Sequence, residues 1–363
     1  MPNTKLLEPF SLQDLVLSNR VVMAPLTRGR SDNPAHIATP LTAEYYRQRA
    51  SAGLIISEGS QVSTMGVGYP NTPGIYTRVQ TFAWQQVTNA VHKEGGKIFL
   101  QLWHVGRLSH PDFLSGNLPW APSALEIDYM ARTEQGQKKA PTPHEMTIDE
   151  VKMVIMEFKW AAANAMKAGF DGVEIHASNG YLIHQFIAPC SNVREDEYGG
   201  SFENRSRFLL EIIDEMKEVM PESRIGVRLN PSYHDVHNMV ITKDTIPTFD
   251  YLIDKLNDYN LAYLHLSEPG RRAANAEFAE KNIAKRYRPV YKGNLMINRG
   301  FTFETANMVI EDGDADLVAF GVPFISNPDL VNRFRNNLPL TEADSSTYYS
   351  TGSKGYTDYP NAD

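Results

Sequence analysis

The sequence is poor in the features that mark several classes of protein. It has one cysteine, Cys190, in 363 residues, so an intramolecular disulfide is impossible and a reducing compartment is favoured. No apolar run approaches the roughly 18 residues of a membrane-spanning helix. The first residues lack the basic and then apolar order of a signal peptide. Its 35 basic and 43 acidic residues leave a formal charge of −8 without a dense basic cluster. We therefore expect a soluble, cytoplasmic protein with no nucleic-acid or membrane partner.

Sequence signatures of several common catalytic sites are absent as well. No G-x-G-x-x-G motif follows a strand, and neither a Walker A loop nor a G-x-S-x-G nucleophile elbow is present. No spacing of His, Cys and carboxylate residues is typical of a zinc site, so we expect no metal. A pyridine nucleotide, if one is used, has to bind without a Rossmann unit.

What the sequence does contain is a regular alternation of short apolar runs and amphipathic segments. Most runs are nearly continuous, as in a parallel sheet that is covered on both faces. The eight candidate strands are residues 21–25, 54–58, 97–102, 172–176, 225–230, 262–267, 294–298 and 317–320. Helical patterns occupy residues 80–94, 148–167, 202–219, 303–311 and 329–336. This alternation predicts an α/β fold, a single (β/α)8 TIM barrel over residues 1–363.

Two segments depart from the alternation. Residues 103–147 follow the third strand and are rich in Pro, Gly and Ser, and loops of this length are uncommon unless functional. Because they leave the C-terminal end of a strand, we expect an insertion that caps the active site; the alternative is a surface excursion. Residues 341–363 are polar but contain four tyrosines, and aromatic residues are depleted in disordered tails. We expect this tail to dock near the pocket.

Three polar residues follow the fourth strand, where barrel enzymes place their chemistry. His176 and Asn179 can both donate to one oxygen and so polarise a carbonyl group. Tyr181 can deliver a proton. The structural alternative is a histidine that binds a loop backbone, with a turn asparagine and a packed tyrosine.

Two further features of the strand ends invite a ligand. Arg228 lies in the fifth strand, and a guanidinium that points into a barrel needs an anionic or strongly polar partner. That partner is either a ligand or a facing acid such as Glu174. Gly300 and Gly321 end the seventh and eighth strands, where barrels often bind a phosphate, although glycine is also ordinary in turns.

At this point longer blocks of sequence become specific. In order along the chain they are APLTRGRS (24–31), EYYRQRASAGLIISEG (44–59), LQLWHVGR (100–107), HASNGYLIHQFIAPCSNVREDEYGGSFENRSRF (176–208), RIGVRLNP (224–231), DLVAFGVPFISNPDL (316–330) and GYTDYP (355–360). Together they closely resemble the Old Yellow Enzyme family of flavin-dependent ene-reductases. The resemblance runs from about residue 6 to residue 360.

The resemblance implies noncovalent FMN at the barrel mouth, reduced by NADPH or NADH. The positions similar to FMN-contacting ones in the family are Pro25, Thr27, Gly59, Gln101, His176 and Arg228, with Gly300 and Gly321 at the phosphate. His176 and Asn179 match the pair that holds the substrate oxygen, and Tyr181 matches the proton donor. Pocket walls are implied at Trp103, Tyr69 and Tyr349. The implied reaction is ping-pong reduction of an activated alkene, an α,β-unsaturated carbonyl or nitro compound, by a monomer or homodimer.

One position departs from the family pattern. Many members read FGR at the end of the eighth strand, where the arginine contacts the FMN phosphate, but here the triplet ends in Val322. Arg299 stands at the end of the seventh strand, where relatives often have a small residue. We hypothesise that Arg299 supplies the missing charge.

Two other functions remain open on the residues alone. Glu58 and Glu174 lie at strand ends and could act as the acid pair of a glycosidase, but that function leaves Arg228, Gln101 and Thr27 without roles. A non-catalytic module that binds flavin or another small ligand is the second alternative. The intact set of His176, Asn179 and Tyr181 argues against it.

Overall fold

The computed structural model describes residues 4–362. Residues 1–3 of the predicted domain, and residue 363 of the predicted tail, lie outside the described residues. Eight parallel strands form a barrel: β1 (Val21–Met23), β2 (Leu54–Ile56), β3 (Ile98–Trp103), β4 (Gly172–His176), β5 (Ile225–Arg228), β6 (Tyr263–Ser267), β7 (Leu295–Asn298) and β8 (Leu317–Phe320). Each strand pairs with the next, and β8 pairs with β1, which closes the barrel. The predicted (β/α)8 fold is confirmed.

Helices connect the strands and cover the outside of the barrel. They are Pro40–Gln48, Arg78–Lys93, Ile148–Lys167, Leu182–Ile187, Phe202–Met216, Thr245–Lys255, Ile283–Tyr287, Phe303–Glu311, Val322–Ser326 and Leu330–Asn336. The helix predicted from residue 80 begins at Arg78, because the Thr77 hydroxyl accepts from the Gln80 N–H and caps it. The helix predicted to residue 219 ends at Met216.

The amino-terminal end of the barrel is closed by apolar side chains. Strands Phe10–Leu12 and Leu15–Leu17 form an antiparallel hairpin. Leu12 and Leu17 are buried in one cluster with barrel residues such as Phe99. The hairpin thus seals this end and leaves polar chemistry to the opposite end, the mouth.

The segment predicted as an insertion, residues 103–147, is organised around two small sheets. Trp103, predicted as the first residue of the insertion, belongs to β3. The insertion is therefore one residue shorter than predicted. Strand Trp120–Ala121 pairs in parallel with His144–Glu145. Strands Met130–Thr133 and Gly136–Lys139 form an antiparallel hairpin, which we call the insertion hairpin.

The C-terminal tail is held by three buried arginines, Arg28, Arg30 and Arg49, which we call the arginine clamp. Arg28 donates through Nη2 to the Gly355 carbonyl at 2.8 Å. Arg30 donates through Nη1 to the Tyr348 carbonyl at 2.8 Å and through Nη2 to the Thr347 carbonyl at 2.9 Å. Arg49 donates to the Phe324 and Ile325 carbonyls, which follow β8. Arg49 also donates to the Tyr356 carbonyl of the tail at 3.4 Å. The arginine clamp therefore joins the tail to the loop after β1 and to the helix Val322–Ser326 after β8.

Candidate functional site

The register of the strands places predicted polar residues of neighbouring strands side by side near the mouth of the barrel. Glu174 pairs with Gln101 across β4 and β3, and His176 pairs with Arg228 across β4 and β5. Arg228 in turn pairs with His265 on β6. Parallel strands in register place residues side by side, so residues that lie far apart in the sequence become neighbours at the mouth.

Glu174 is buried and bonded on both oxygens. Gln101 Nε2 donates to Oε1 at 2.8 Å, and His265 Nδ1 lies 2.8 Å from Oε2. Burial acts to raise the pKa of the Glu174 carboxyl, but the charge and hydrogen bond of His265, with smaller effects of Arg228 and Gln101, lower this pKa below its usual value. The ion pair with Arg228, one of the two alternatives from the sequence, is not formed among the described residues.

Arg228 at the end of β5 has an unfilled donor. Its Nε is buried without a hydrogen-bond partner among residues 4–362. With the Asn298 amide oriented so that its oxygen faces Arg228, that oxygen accepts from Nη2 at 3.0 Å. Burial lowers the pKa of the guanidinium. Arg228 as a whole is half-buried, but its buried, orphaned Nε–H favours an acceptor from outside the chain.

His176 stands at the end of β4 between aromatic neighbours. Its ring lies 4.9 Å from the Tyr181 ring, edge to face, and 6.4 Å from the Trp103 ring. Its Nδ1 lies 3.1 Å from the Ser178 hydroxyl oxygen. Burial, followed by the charge of Arg228, holds the pKa of His176 well below its usual value. The imidazole is therefore neutral near pH 7 and keeps Nε2 for an external partner.

Asn179 follows His176 in a left-handed backbone conformation, with φ of 57°. Asparagine tolerates this region better than most residues. Its Oδ1 accepts from Asn230 Nδ2 at 2.9 Å. The carboxamide nitrogen of Asn179 is thus the end that remains available to a ligand.

A cavity of 340 Å³, the mouth cavity, is lined by the two aromatic neighbours of His176, Trp103 and Tyr181, whereas His176 and Asn179 are not among its described lining residues. Its walls are Thr27, Gly29, Tyr69, Pro70, Asn71, Trp103, Arg132, Tyr181 and Tyr349. The Tyr69 ring stacks on Trp103 with ring centres 5.4 Å apart, and the Tyr181 hydroxyl donates to the Tyr69 hydroxyl at 3.4 Å. Burial raises the pKa of Tyr181, so its phenol is protonated at neutral pH. The three aromatic walls predicted from the sequence all line this cavity.

Three other predicted positions, Pro25, Thr27 and Gly59, follow the first two strands of the barrel. Pro25 and Thr27 are half-buried in the loop after β1. A Cβ on Gly59 would lie 2.7 Å from the Trp103 ring, which explains why the position after β2 carries no side chain. Thr27 thus lines the mouth cavity together with Trp103, and Gly59 lies directly against the Trp103 ring.

The predicted phosphate residues form a separate group at the ends of β7 and β8. Arg299 and Gly300 are exposed, and both have positive φ, 80° and 83°. The Arg299 guanidinium packs over Gly270, where an added Cβ would lie 2.8 Å from its Cζ. Val322 is 51% exposed and Gly321 half-buried. In this structure the Arg299 side chain therefore contacts the loop after β6, and we observe no contact between it and Val322 in the described chain.

Glu58, the other carboxylate of the glycosidase alternative, is buried below the mouth. Its Oε2 accepts from the Arg28 N–H at 3.2 Å, and its own N–H donates to the Tyr46 hydroxyl at 2.7 Å. Burial raises its pKa to about 7. Neither Glu58 nor Glu174 is among the described residues that line the mouth cavity, and the chain itself already bonds both carboxylates, Glu58 through the Arg28 N–H and Glu174 through Gln101 and His265.

Sequence reasoning assigned no role to two residues that the structure places at the site. Asn230 was visible at the end of the fifth strand run but had no evident partner. Arg132 lies on the insertion hairpin, and nothing in the local sequence indicated that it reaches the mouth cavity.

In residues 4–362 we find no group of three or more His, Cys, Asp or Glu that could hold a metal ion. Over the same residues, no helix has both the length and the apolar character to cross a membrane.

Comparison with known proteins points to one family. Residues 5–341 match the model of a family described as the NADH:flavin oxidoreductase / NADH oxidase family. The chain is 40% identical over 359 residues to putative 12-oxophytodienoate reductase 2 of Oryza sativa subsp. japonica, covering 98% of this chain and 93% of the relative. It is 40% identical over 385 residues to flavin oxidoreductase hxnT of Emericella nidulans, covering 99% of this chain and 98% of that relative.

Solved structures agree with this match. The old yellow enzyme homologue from Zymomonas mobilis has a TM-score of 0.93 and 40% identity, with 99% of this chain and 100% of that chain covered. Morphinone reductase in complex with tetrahydroNAD has a TM-score of 0.92 and 42% identity, with 99% and 98% covered.

Proposed function

Since the chain belongs to the NADH:flavin oxidoreductase / NADH oxidase family and is an NAD(P)H-dependent oxidoreductase, we propose that it reduces activated carbon–carbon double bonds with noncovalent FMN. The observation that carries this proposal is that neutral His176 packs against protonated Tyr181 of the cavity wall, with Asn179 and its free nitrogen between them in the chain. Its substrates are α,β-unsaturated carbonyl or nitro compounds, and NADPH or NADH is the hydride donor. The single cysteine favours a cytoplasmic location.

The residues at the mouth fit FMN. The buried, unpartnered Nε of Arg228 suits the N1 and O2 edge of the isoalloxazine, which becomes negative on reduction. Gln101 Nε2 is committed to Glu174, so its Oε1 is left to accept from the N3–H. Pro25, Thr27 and Gly59 would border the ring, with Thr27 donating to O4, and His176 would contact it from β4. When bound, FMN supplies the hydride that NADPH or NADH delivered to it.

His176 and Asn179 would act together as an oxygen clamp on the substrate. Each offers an N–H to the carbonyl or nitro oxygen, and the two hydrogen bonds withdraw electrons from the double bond. Both side chains are buried or half-buried, so little water competes for them. The result is a β-carbon that accepts hydride more readily.

Tyr181 would donate the proton that completes the reduction. Its phenol stands in the cavity wall and keeps its proton at neutral pH, as a general acid requires. The product gains the hydride on the β-carbon and this proton on the α-carbon. Trp103, Tyr69 and Tyr349 would hold the apolar part of the substrate between them.

The insertion would cap the mouth and help to select substrates. Arg132 on the insertion hairpin is the one charged residue among the described residues that line the cavity. Its guanidinium lies 5.7 Å from the centre of the Tyr349 ring, so the hairpin and the tail meet at the rim. No acidic partner for it is present in residues 4–362. We therefore expect alkenes with an anionic group to be favoured as substrates. The relatives named 12-oxophytodienoate reductases are named after a substrate that is a carboxylate.

Arg299 would contact the FMN phosphate in place of the arginine that Val322 replaces. Its positive φ of 80° is costly for a side chain with a Cβ. It is exposed and has no ion-pair partner within the described chain. A side chain that is strained, charged and unpaired at this strand end is consistent with a ligand role, with Gly300 and Gly321 giving the backbone room to approach.

The decisive experiment follows the colour of the protein. The purified chain, incubated with excess FMN and desalted, should retain one FMN and absorb in the near-ultraviolet and blue. Anaerobic NADPH should bleach this colour, and 2-cyclohexenone should restore it. A colourless protein would refute the proposal, whereas bleaching that the enone does not reverse would leave a flavoprotein with a different acceptor.

A further inference from the structure

We propose that Asn230 is a positioning residue that holds the Asn179 carboxamide with its nitrogen toward the substrate oxygen. The inference rests on the proposed function, because it concerns one of the two donors of the oxygen clamp. Asn230 itself is 2% exposed and does not line the mouth cavity among the described residues.

The oxygen clamp works only if the Asn179 carboxamide is held with its nitrogen toward the substrate. An asparagine carboxamide has an oxygen and a nitrogen end of nearly equal size and can present either one. A substrate carbonyl or nitro oxygen has only lone pairs to offer, so the oxygen end of Asn179 would repel it. An amide free to rotate would spend part of its time in the unproductive orientation.

Two consecutive hydrogen bonds determine which end of Asn179 is free. The backbone N–H of Ser232 donates to Asn230 Oδ1 at 3.1 Å. A backbone N–H can only donate, so it fixes the Asn230 oxygen. Asn230 Nδ2 then donates to Asn179 Oδ1 at 2.9 Å. The Asn179 oxygen is occupied, and its nitrogen is left for the ligand.

The local backbone makes the arrangement rigid. Asn230 precedes Pro231, whose ring restricts the backbone of both residues. Ser232 is also buried, so water has little access to the first hydrogen bond. The orientation of the Asn179 carboxamide is thus set by the Ser232 backbone N–H, which can only donate a hydrogen bond.

The test uses the oxidised, FMN-loaded enzyme and a neutral oxygen ligand, 2-cyclohexenone, whose binding is titrated through the change in flavin absorbance. Asn230→Asp keeps the acceptor for Ser232 but replaces the donor with an acceptor. The Asn179 amide should then turn its nitrogen toward the new carboxylate, and Kd should rise about tenfold, as for one lost hydrogen bond. Asn230→Ser removes the contact without adding charge and should raise Kd about threefold.

A double-mutant cycle separates positioning from a general structural effect. If Asn230 acts through Asn179, then adding Asn230→Asp to Asn179→Ala should change Kd by less than about twofold. The matched control is Asn19→Ser. Asn19 is a buried asparagine at the closed end of the barrel, where its Oδ1 accepts from the N–H groups of Val21 and Gly53. This control should lower Tm and leave Kd unchanged.

The outcomes distinguish the inference from the function beneath it. Weaker binding in Asn179→Ala together with normal binding in both Asn230 variants overturns the inference and leaves the clamp intact. Equal effects of Asn230→Asp with and without Asn179 also overturn it, because Asn230 would then act independently. Normal binding in Asn179→Ala overturns the clamp itself.

Discussion

The arginine clamp and the barrel mouth use the same side chain in opposite ways. In the arginine clamp, buried guanidinium groups donate to backbone carbonyls of the tail and of the helix Val322–Ser326 after β8. At the mouth, Arg228 keeps an unpartnered Nε, and Arg132 and Arg299 have no acidic partner in the described chain. Saturated arginines stabilise a fold, whereas buried or strained arginines with free donors indicate where a ligand completes the structure.

The largest expected effect comes from a comparison of two tyrosines, Tyr181 at the mouth and Tyr356 in the tail. Tyr181→Phe removes the proposed proton donor, so reoxidation of the reduced enzyme by 2-cyclohexenone should slow by about 10²–10⁴-fold. Rapid mixing measures this step separately from reduction by NADPH. Tyr356→Phe is the control, because Tyr356 is buried in the tail, against Tyr45 and the arginine clamp, and its loss of a hydroxyl should leave both steps unchanged. Equal slowing of both steps in Tyr181→Phe would contradict its role as the acid.

The next effect concerns the stability of the tail. Arg30→Ala leaves the carbonyls of Thr347, Tyr348 and Lys354 without this donor, and the free energy of unfolding should fall by about 3 kcal/mol. Urea unfolding and limited proteolysis of the tail measure it. Arg335→Ala, on an exposed helix position, should change stability by less than about 0.5 kcal/mol. If the Arg30 variant kept its stability, the clamp would have no structural role.

A conservative change at the mouth should weaken FMN binding and leave stability unchanged, the reverse of the effect expected for Arg30→Ala. Arg228→Lys keeps the charge but loses the planar set of donors, so FMN should bind about 30-fold more weakly while unfolding of the apoprotein hardly changes. Recovery of FMN fluorescence on release gives the affinity. Arg224→Lys, a surface arginine paired with Asp14, is the control and should bind FMN normally. Unchanged FMN affinity in Arg228→Lys would mean that the flavin does not use this guanidinium.

Arg299→Gly should change stability and affinity in opposite directions. Removing the Cβ from a residue with φ of 80° should stabilise the apoprotein by about 1 kcal/mol. Loss of the charge should weaken FMN binding about tenfold. Asn337→Gly, at φ of 52° in a helix cap, should be stabilising without any effect on FMN. A variant of Arg299 that retains FMN fully would reject the phosphate role.

The smallest effect tests the rim of the mouth cavity. Arg132→Gln should raise KM for an enone that carries a carboxylate about fivefold, the size expected of an exposed ion pair, and leave KM for its methyl ester unchanged. Comparing KM for NADPH and NADH shows whether a phosphate uses the same charge. Lys139→Gln on the same hairpin, where Lys139 pairs with Glu126, is the control. Parallel changes for acid and ester would argue against charge recognition.

Much of the fold and part of the site could be predicted from local sequence. All eight strands lie within or overlap their predicted runs, because strands buried on both faces are nearly continuous in apolar residues. Five helices of residues 4–362 were missed. Leu182–Ile187, Ile283–Tyr287 and Val322–Ser326 have only five or six residues, too few for a periodic pattern, and Pro40–Gln48 and Thr245–Lys255 contain a proline in the first turn. The small sheets of the insertion were not predictable, because their pairing depends on contacts outside the segment.

The sequence by itself determined the barrel, the family and the positions of His176, Asn179 and Tyr181, because these follow from apolar periodicity and from motifs that are continuous along the chain. Only the tertiary structure decided that Glu174 is bonded to Gln101 and His265 and not to Arg228, and that Asn230 orients Asn179. Such partners depend on the register between strands and on side-chain direction. Neither is encoded within any one segment, because each arises only when the barrel closes.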